Sequence, residues 1–318
     1  MLTYILRKIL LGIPVLLGVT VVVFAIASAM PGDAVMAMIT AEAPSSEELI
    51  AMRRGQLGLD QPIWVQYSTW LWQVLQGNLG RSFITGRPVA DMIFERVPYT
   101  LELMGVALLV SFALGTALGV VSALRQYHTT DYVLTVAGFA GVAIPDFFLG
   151  MLLVYVFSLE LRWLPSSGMG TAGDAFSLVD NLRHLVLPAA ALALFRTAIF
   201  MRYARSSMLE VLTQDYMRTA RAKGLSRITI VLRHGLRNAL IPLVTVFGLT
   251  TPTLFGGSVV VETIFQWPGI GLLFINAVID RDSPVIMGYV LITALIVMIS
   301  NILTDLAYGA LDPRVSYD

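Results

Sequence analysis

Apolar residues along this chain are gathered into long blocks, and charges are largely kept to the stretches between them. Ile9 to Met30 runs for 22 residues without a charge, and Leu103 to Leu124 does the same. Tyr132 to Leu159 is a third block, broken at Pro145. His184 to Tyr203 is a fourth, with Pro188 early and Arg196 inside it. Ala239 to Val261 is a fifth, uncharged over 23 residues, and Ser283 to Thr304 is a sixth. About 20 predominantly apolar residues suffice for a helix to cross a bilayer. The pattern therefore predicts an all-α, polytopic membrane protein with six transmembrane helices. Arg7 and Lys8 precede the first block, and Ala27-Ser28-Ala29 has the form of a signal cleavage site. The apolar run before that site, about 16 residues, is at or beyond the upper limit for a signal segment. An uncleaved anchor with a cytoplasmic N-terminus is expected.

The polar stretches set the topology. Pro31 to Pro98 carries Glu47, Glu48, Arg53, Arg54, Asp60, Asp91, Glu95 and Arg96, with Trp64, Trp70 and Trp72 among them. Ser45 or Ser46 can cap a short helix with Glu47 and Glu48 in its first turn, and tryptophans suit the membrane interface. This stretch is expected to be a helical cap on the outer face. Glu160 to Asn181 is a second outer loop. Six spans then leave both ends inside, with 12 Lys and Arg on the inner side and 8 on the outer. Five of those eight lie in the long first loop, where charges weigh less. The organisation expected is residues 1–97, an N-terminal transmembrane helix with the outer helical region, and 98–318, a five-helix core carrying a cytoplasmic loop at 207–238.

Composition agrees with this reading. Of 318 residues, 57% are hydrophobic and 13% charged, too apolar for a soluble globule. The formal net charge is zero, so nothing points to nucleic acid. With no cysteine there is no disulfide, thiol nucleophile or zinc–thiolate site. No Gly-x-x-x-x-Gly-Lys, His-Glu-x-x-His or Gly-x-Ser-x-Gly occurs, so no nucleotide, metalloprotease or hydrolase site is expected. A membrane enzyme, a channel and a secondary transporter are the competing classes.

Candidate chemistry falls in four places. Tyr216 to Pro242 is a basic, helix-prone island between two spans. Met217, Ala220 and Gly224 share one side at helical spacing, with Arg218, Arg221 and Lys223 around the rest. Such a face suits a partner's groove; an ordinary positive inner loop is the alternative. Gly224 stands where a left-handed C-cap ends the first helix. Ser226 can cap a second, with Ile228, Leu232, Gly235 and Ala239 on its apolar face. Asp146, after the Pro145 break, is read as an N-cap or a functional intramembrane carboxylate. Arg196 could line a water path, pair with a carboxylate or snorkel toward Arg202 and Arg205. The fifth block carries Thr245, Thr250, Thr253 and Ser258 among prolines and glycines, as a cavity-lining or closely packed helix does. After Glu262, Trp267-Pro268-Gly269 predicts a type II turn with Pro268 and Gly269 at its centre.

Several fragments, in order, carry a resemblance. Tyr4-Ile5-Leu6-Arg7-Lys8, Met30-Pro31-Gly32-Asp33, Leu57-Gly58-Leu59-Asp60-Gln61-Pro62, Gly77-Asn78-Leu79-Gly80-Arg81-Ser82, Val261-Glu262-Thr263 and Leu311-Asp312-Pro313-Arg314 together resemble a permease subunit of a binding-protein-dependent ABC importer of the dipeptide/oligopeptide/nickel class. Arg218-Thr219-Ala220-Arg221-Ala222-Lys223-Gly224 occupies the place of that family's Glu-Ala-Ala-x-x-x-Gly coupling motif. Arg218 replaces the motif's Glu, and His234-Gly235-Leu236-Arg237 stands where Ile-x-Leu-Pro would end it; the peptide branch shares both departures. Asp146 stands where a Ser follows the family's Pro. The resemblance implies a type I ABC importer permease fold in a bacterial or archaeal cytoplasmic membrane, with no cofactor and no ATPase site of its own. It implies a homologous second permease, two cytoplasmic ATPase subunits and an extracytoplasmic substrate-binding protein as partners. Met217, Arg218, Ala220, Arg221, Lys223 and Gly224 would couple to the ATPases. Asp146, Arg196, Thr245, Thr250, Thr253 and Ser258 would line the pathway, and Glu262, Trp267, Pro268 and Gly269 would form an outer turn. The implied cargo is small peptides, with nickel chelates, glutathione, opines or haem as alternatives.

Overall fold

The structure is a computed structural model that describes residues 2–29, 52, 55, 60–171 and 173–311. The expected helix at Ser45, Ser46, Glu47 and Glu48, the Met30 to Asp33 motif and the closing Asp312-Pro313-Arg314 lie outside the described residues. Among those described, nearly every residue in regular structure is helical, and the sole bridge is an isolated pairing of Arg81 with Pro88. Five helices are long and apolar enough to cross a membrane, and one bent helix pair makes a possible sixth span. The chain divides into two compact units, Met1–Thr100 with Pro268–Ile299, and Leu101–Trp267 with Ser300–Asp318.

In the first unit, α1 (Leu2–Ala29) is built from the uncharged N-terminal block. It meets α2 (Ile63–Leu75), which starts directly after Pro62, as prolines favour at helix beginnings. Thr20 and Tyr67 share a hydroxyl hydrogen bond of 2.9 Å, and the Phe24 ring stands edge-on to Tyr67 at 5.4 Å. Trp70 turns into the same cluster, whereas Trp64 and Trp72 are exposed. The short α3 (Val89–Phe94) is held by complete burial of Val89 and Ile93. Asp282, just ahead of α12 (Ser283–Leu311), is buried and accepts from the Ser82 hydroxyl at 2.5 Å and the Phe83 amide at 3.0 Å. Residues 270–279, not anticipated as a helix, form α11 (Ile270–Ile279), and Phe274 stacks on Tyr289 at 4.4 Å. The segment is too short to read as a span, which is why the block pattern passed over it.

In the second unit, α4 (Val97–Leu124) crosses the long α7 (Leu178–Leu212) through glycines. A Cβ on Gly119 would stand 2.5 Å from both Ala204 Cβ and the Met201 carbonyl oxygen. Gly115 and Gly119, four residues apart, thus form a close helix crossing. Gly105, on the same helix, has nothing within 4 Å of a Cβ. Gly119→Ala should therefore cost about 1–3 kcal/mol, because the clash includes backbone that cannot rotate away, while Gly105→Ala should be neutral or better. Thermal unfolding of the two variants in detergent separates them.

The third block is not one straight helix. α5 (Thr129–Ala143) and α6 (Asp146–Leu153), which continues as a π-helical segment Val154–Glu160, meet at 104°. Ile144 between them is extended, φ −87° and ψ 122°, as a residue before proline prefers. The fifth block is also divided, into α9 (Arg237–Thr250) and α10 (Thr253–Ile264), with Thr251 and Pro252 between. Gly150 lets α6 pack on α10, since its Cβ would sit 3.3 Å from the Phe265 ring.

Candidate functional site

The basic island folds into a compact knuckle. Asp215 starts α8 (Asp215–Ala222), which ends at Lys223. Gly224 follows with φ +74°, the left-handed cap expected of it, and its amide donates to the Arg221 carbonyl at 3.0 Å. The Ser226 hydroxyl accepts from the Thr229 amide at 3.2 Å and so caps the next turn, Arg227–Thr229. α8 has one apolar face, and that face is turned inward. Met217 is fully buried and Ala220 nearly so, against Met208 and Val211 of α7 and against Ile230, Val231 and Ala239.

This reverses the orientation anticipated for Met217 and Ala220. Spacing marks the apolar face of α8 but does not say which neighbour covers it, and the chain's own α7 does. What faces outward is Arg218, Thr219, Arg221, Ala222, Lys223 and Gly224. Arg218 and Asp215 approach at 3.5 Å with both side chains exposed, so the pair contributes only about 0–1 kcal/mol. Arg221 and Arg227 flank a concavity of about 500 Å³ floored by Leu212, Leu225 and Ile230.

The helix after the knuckle shows a second difference. Ile230–Leu236 is π-helical before α9 begins. Wider turns shift the side-chain register. Ile230, Val231, Gly235 and Ala239 are buried, whereas Ile228 and Leu232 are exposed. Gly235 and Ala239 keep the face expected of them. Gly235 gives Met208 and Met217 room, for a Cβ there would stand 2.7 Å from the Met208 methyl. Asn238 donates to the Tyr216 hydroxyl at 3.1 Å, and the Ser207 hydroxyl donates to the Ala239 carbonyl at 3.0 Å. α7, α8 and α9 are thereby tied together.

Beside this knuckle lies an ionic tie that the sequence reading did not single out. Asp131, on the first turn of α5, is 2% exposed. Its two oxygens accept from Arg205 Nε and Nη2, each at 2.8 Å, a bidentate pair joining α5 to α7. The Ser122 hydroxyl of α4 donates to the same carboxylate, as does the Tyr127 amide at 3.1 Å. Tyr127 has φ +63°, a left-handed turn that this bond helps to hold. One carboxylate therefore ties three helices together and holds the turn between two of them. The available signal was a lone acid entering an apolar block, which must find a partner.

The intramembrane candidates separate. Arg196 is 5% exposed. It donates through Nη1 to the Leu192 carbonyl at 2.8 Å and through Nη2 to the Thr253 carbonyl at 3.4 Å, while Nε is buried with no hydrogen-bond partner among the described residues. Its guanidinium thus points back along α7, away from Arg202 and Arg205, so the snorkelling alternative does not hold. Asp146, partly exposed at the start of α6, feels the Arg196 charge without forming a direct ion pair. Its side chain makes no cap hydrogen bond; Pro145 holds the N-cap position instead. Thr250, Thr253 and Ser258 each donate to a carbonyl of the preceding turn, Phe247, Thr250 and Phe255 respectively. Thr253 is exposed, Thr245 and Thr250 are half-buried, and Ser258 is buried. The outer turn departs from type II. Gly269 has φ −83° and ψ −177°, extended backbone, and it caps α11. The left-handed residue is Gln266, φ +49°, and the Trp267 amide donates to the Glu262 carbonyl at 2.9 Å. Glu262 and Trp267 are fully buried, so Trp267 anchors this corner by packing.

Comparison with known proteins bears on the whole chain. Residues 115–317 match the family model "Binding-protein-dependent transport system inner membrane component". Residues 1–104 match "Binding-prot-dependent transport system membrane comp, N-term". The oligopeptide transport system permease protein AppB of Bacillus subtilis is 43% identical over 318 residues, covering 100% of both chains. The glutathione transport system permease protein GsiC of Salmonella choleraesuis is 41% identical, and the dipeptide transport system permease protein DppB of Alkalihalophilus pseudofirmus 38%, each over 100% of both chains. Among solved structures, the MetNI methionine ABC transporter in an inward facing conformation superposes with a TM-score of 0.57 at 18% identity. It covers 70% of this chain and 96% of its own, a likeness of fold.

Proposed function

We propose, because the chain belongs to the binding-protein-dependent transport system inner membrane component family, that it forms half of the translocation pathway of an ATP-driven importer of small peptides. The observation that carries the coupling part is the knuckle: an inward anchor at Met217 and Ala220 leaves a rigid cationic corner facing out. One of two ATPase subunits would take that corner, the other would take its counterpart on the second permease, and their closure on ATP would move α7 and α9 through the shared core. A homologous permease would complete the pathway, and a substrate-binding protein would deliver cargo from the opposite side. The excess of Lys and Arg on that side supports a cytoplasmic position for the knuckle and both termini. Arg218, Arg221, Lys223 and Gly224 are the contact residues in this reading, and Met217 and Ala220 hold them in place. The peptide cargo rests on relatives named for oligopeptides and dipeptides; glutathione is itself a small peptide, and a relative named for it stands at similar identity.

ATP-dependent uptake by the reconstituted importer tests the assignment. Radiolabelled di- and tripeptides should accumulate, with glutathione competing, and uptake should require both the binding protein and the ATPases. Uptake without ATP, or of peptide-free nickel chelates alone, would contradict it. The pathway residues carry a separate prediction, made clean by the cysteine-free background. Thr253→Cys, exposed on α10, should react with a water-soluble maleimide in every state. Ser258→Cys, now buried, should react only when the nucleotide state moves α10. Inertness of Thr253→Cys throughout would assign this helix to packing.

A further inference from the structure

Between α5 and α7 runs a groove of about 530 Å³ that the coupling and pathway readings leave unused. Phe139 and Val142 of α5, both exposed, form one apolar wall, and Phe195 and Ile199 of α7 form part of the other. Arg202, Arg205 and Ser206 belong to its lining, between Ile199 and Leu209 of α7. Arg202 is exposed and makes no ion pair among the described residues; its guanidinium lies 5.8 Å from the Tyr203 ring centre. Arg205 is immobilised from behind, because Nε and Nη2 are both held by Asp131, and its Nη1 has no partner among the described residues. Asp131 cancels the charge of Arg205, so the net positive charge at this end is that of Arg202. An apolar slot that carries a fixed donor and an unpaired cation toward one end is complementary to a chain that is apolar along its length and anionic near one end.

We infer that this groove binds an anionic phospholipid, with an acyl chain between α5 and α7 and the phosphate at Arg202 and Arg205. The inference needs α5 and α7 to lie in a bilayer but does not need the peptide assignment. A partner protein would have to bring a carboxylate to the level of Arg202, whereas phosphate is present at that depth in every anionic leaflet. Basic pockets between membrane helices recognise such headgroups.

Native mass spectrometry of the full-length chain in detergent, titrated with phosphatidylglycerol and separately with phosphatidylcholine, tests this. Wild type should bind phosphatidylglycerol more tightly, and Arg202→Gln should weaken that binding about fivefold while leaving phosphatidylcholine unchanged. Arg202→Lys should keep most of the preference, and Thr135→Trp, which fills the groove, should weaken both lipids. Millimolar inorganic phosphate should not displace the lipid. Equal binding of both lipids by wild type, or unchanged phosphatidylglycerol binding by Arg202→Gln, overturns the proposal. Full displacement by phosphate also overturns it, in favour of a free-anion site. Loss of association between permease subunits in Thr135→Trp with lipid binding intact overturns it in favour of a protein interface.

Discussion

Asp131→Ala is expected to lower stability by about 3 kcal/mol and to abolish uptake. Removing one partner of a buried ion pair leaves the other uncompensated, at about 3–5 kcal/mol in general. The lower end applies because the Arg205 side chain is 29% exposed and can recover some hydration. The loss does not stop at the ion pair. Ser122 and the Tyr127 amide lose their acceptor in the same stroke, and the left-handed turn joining α4 to α5 loses a support. Asp131→Asn keeps the volume but can match only part of the guanidinium fork, so it should fall between wild type and alanine. The double change Asp131→Ala with Arg205→Ala should be more stable than the sum of the single changes predicts, because the stranded cation is gone. Thermal unfolding in detergent reads the stabilities. A single Asp131→Ala variant as stable as wild type would show that this tie contributes nothing.

Ala220→Trp is expected to eliminate co-purification of the ATPases while the membrane helices stay folded. Ala220 is 6% exposed and packs with Met217 on Met208, Val211 and Ile230. An indole has no space there, and overpacking costs typically about 1–3 kcal/mol, enough to lift an eight-residue helix off its support. Met217→Ala should act in the same direction through the opposite defect, a cavity costing about 2–5 kcal/mol. Arg221→Ala leaves the anchor untouched and removes one exposed cation, so ATPase binding should weaken but persist. The ordering matters more than any single value. If Arg221→Ala were worse than Ala220→Trp, the outward charges alone would carry the contact and the inward anchor would be incidental.

Much of this architecture was legible because a bilayer imposes long uncharged blocks. The spans beginning near Ile9, Leu103, His184 and Ser283 follow from length and charge alone, and Gly224 and Ser226 occupy the capping positions that their chemistry favours. What escaped the sequence was whatever depends on a partner distant along the chain. Helical spacing groups Met217 with Ala220 but cannot say that α7 covers them. The π-helical turns of Ile230–Leu236 shift a register that 3.6-residue spacing assumes, so the single apolar face read for Ile228, Leu232, Gly235 and Ala239 divides, the first two exposed and the last two buried. Pro268-Gly269 favours a type II turn locally, yet burial of Trp267 and the extended Gly269 that starts α11 decide the corner. Asp131 and Arg205 stand 74 residues apart, and only the crossing of α5 with α7 brings them together.

The central claim is that the outward face of α8, and not its apolar face, meets the ATPase subunits. Site-specific photocrosslinking measures this directly. A benzophenone side chain is placed singly at Arg218, Ala222 or Lys223, all exposed, and at Trp64 of α2 as a control. The assembled importer is irradiated in membranes, and adducts are identified by mass. The expected result is a covalent adduct with an ATPase subunit from Arg218, Ala222 and Lys223, with its yield changing on ATP addition, and none from Trp64. ATPase adducts absent from all three α8 positions, in an importer that still transports, would contradict the account.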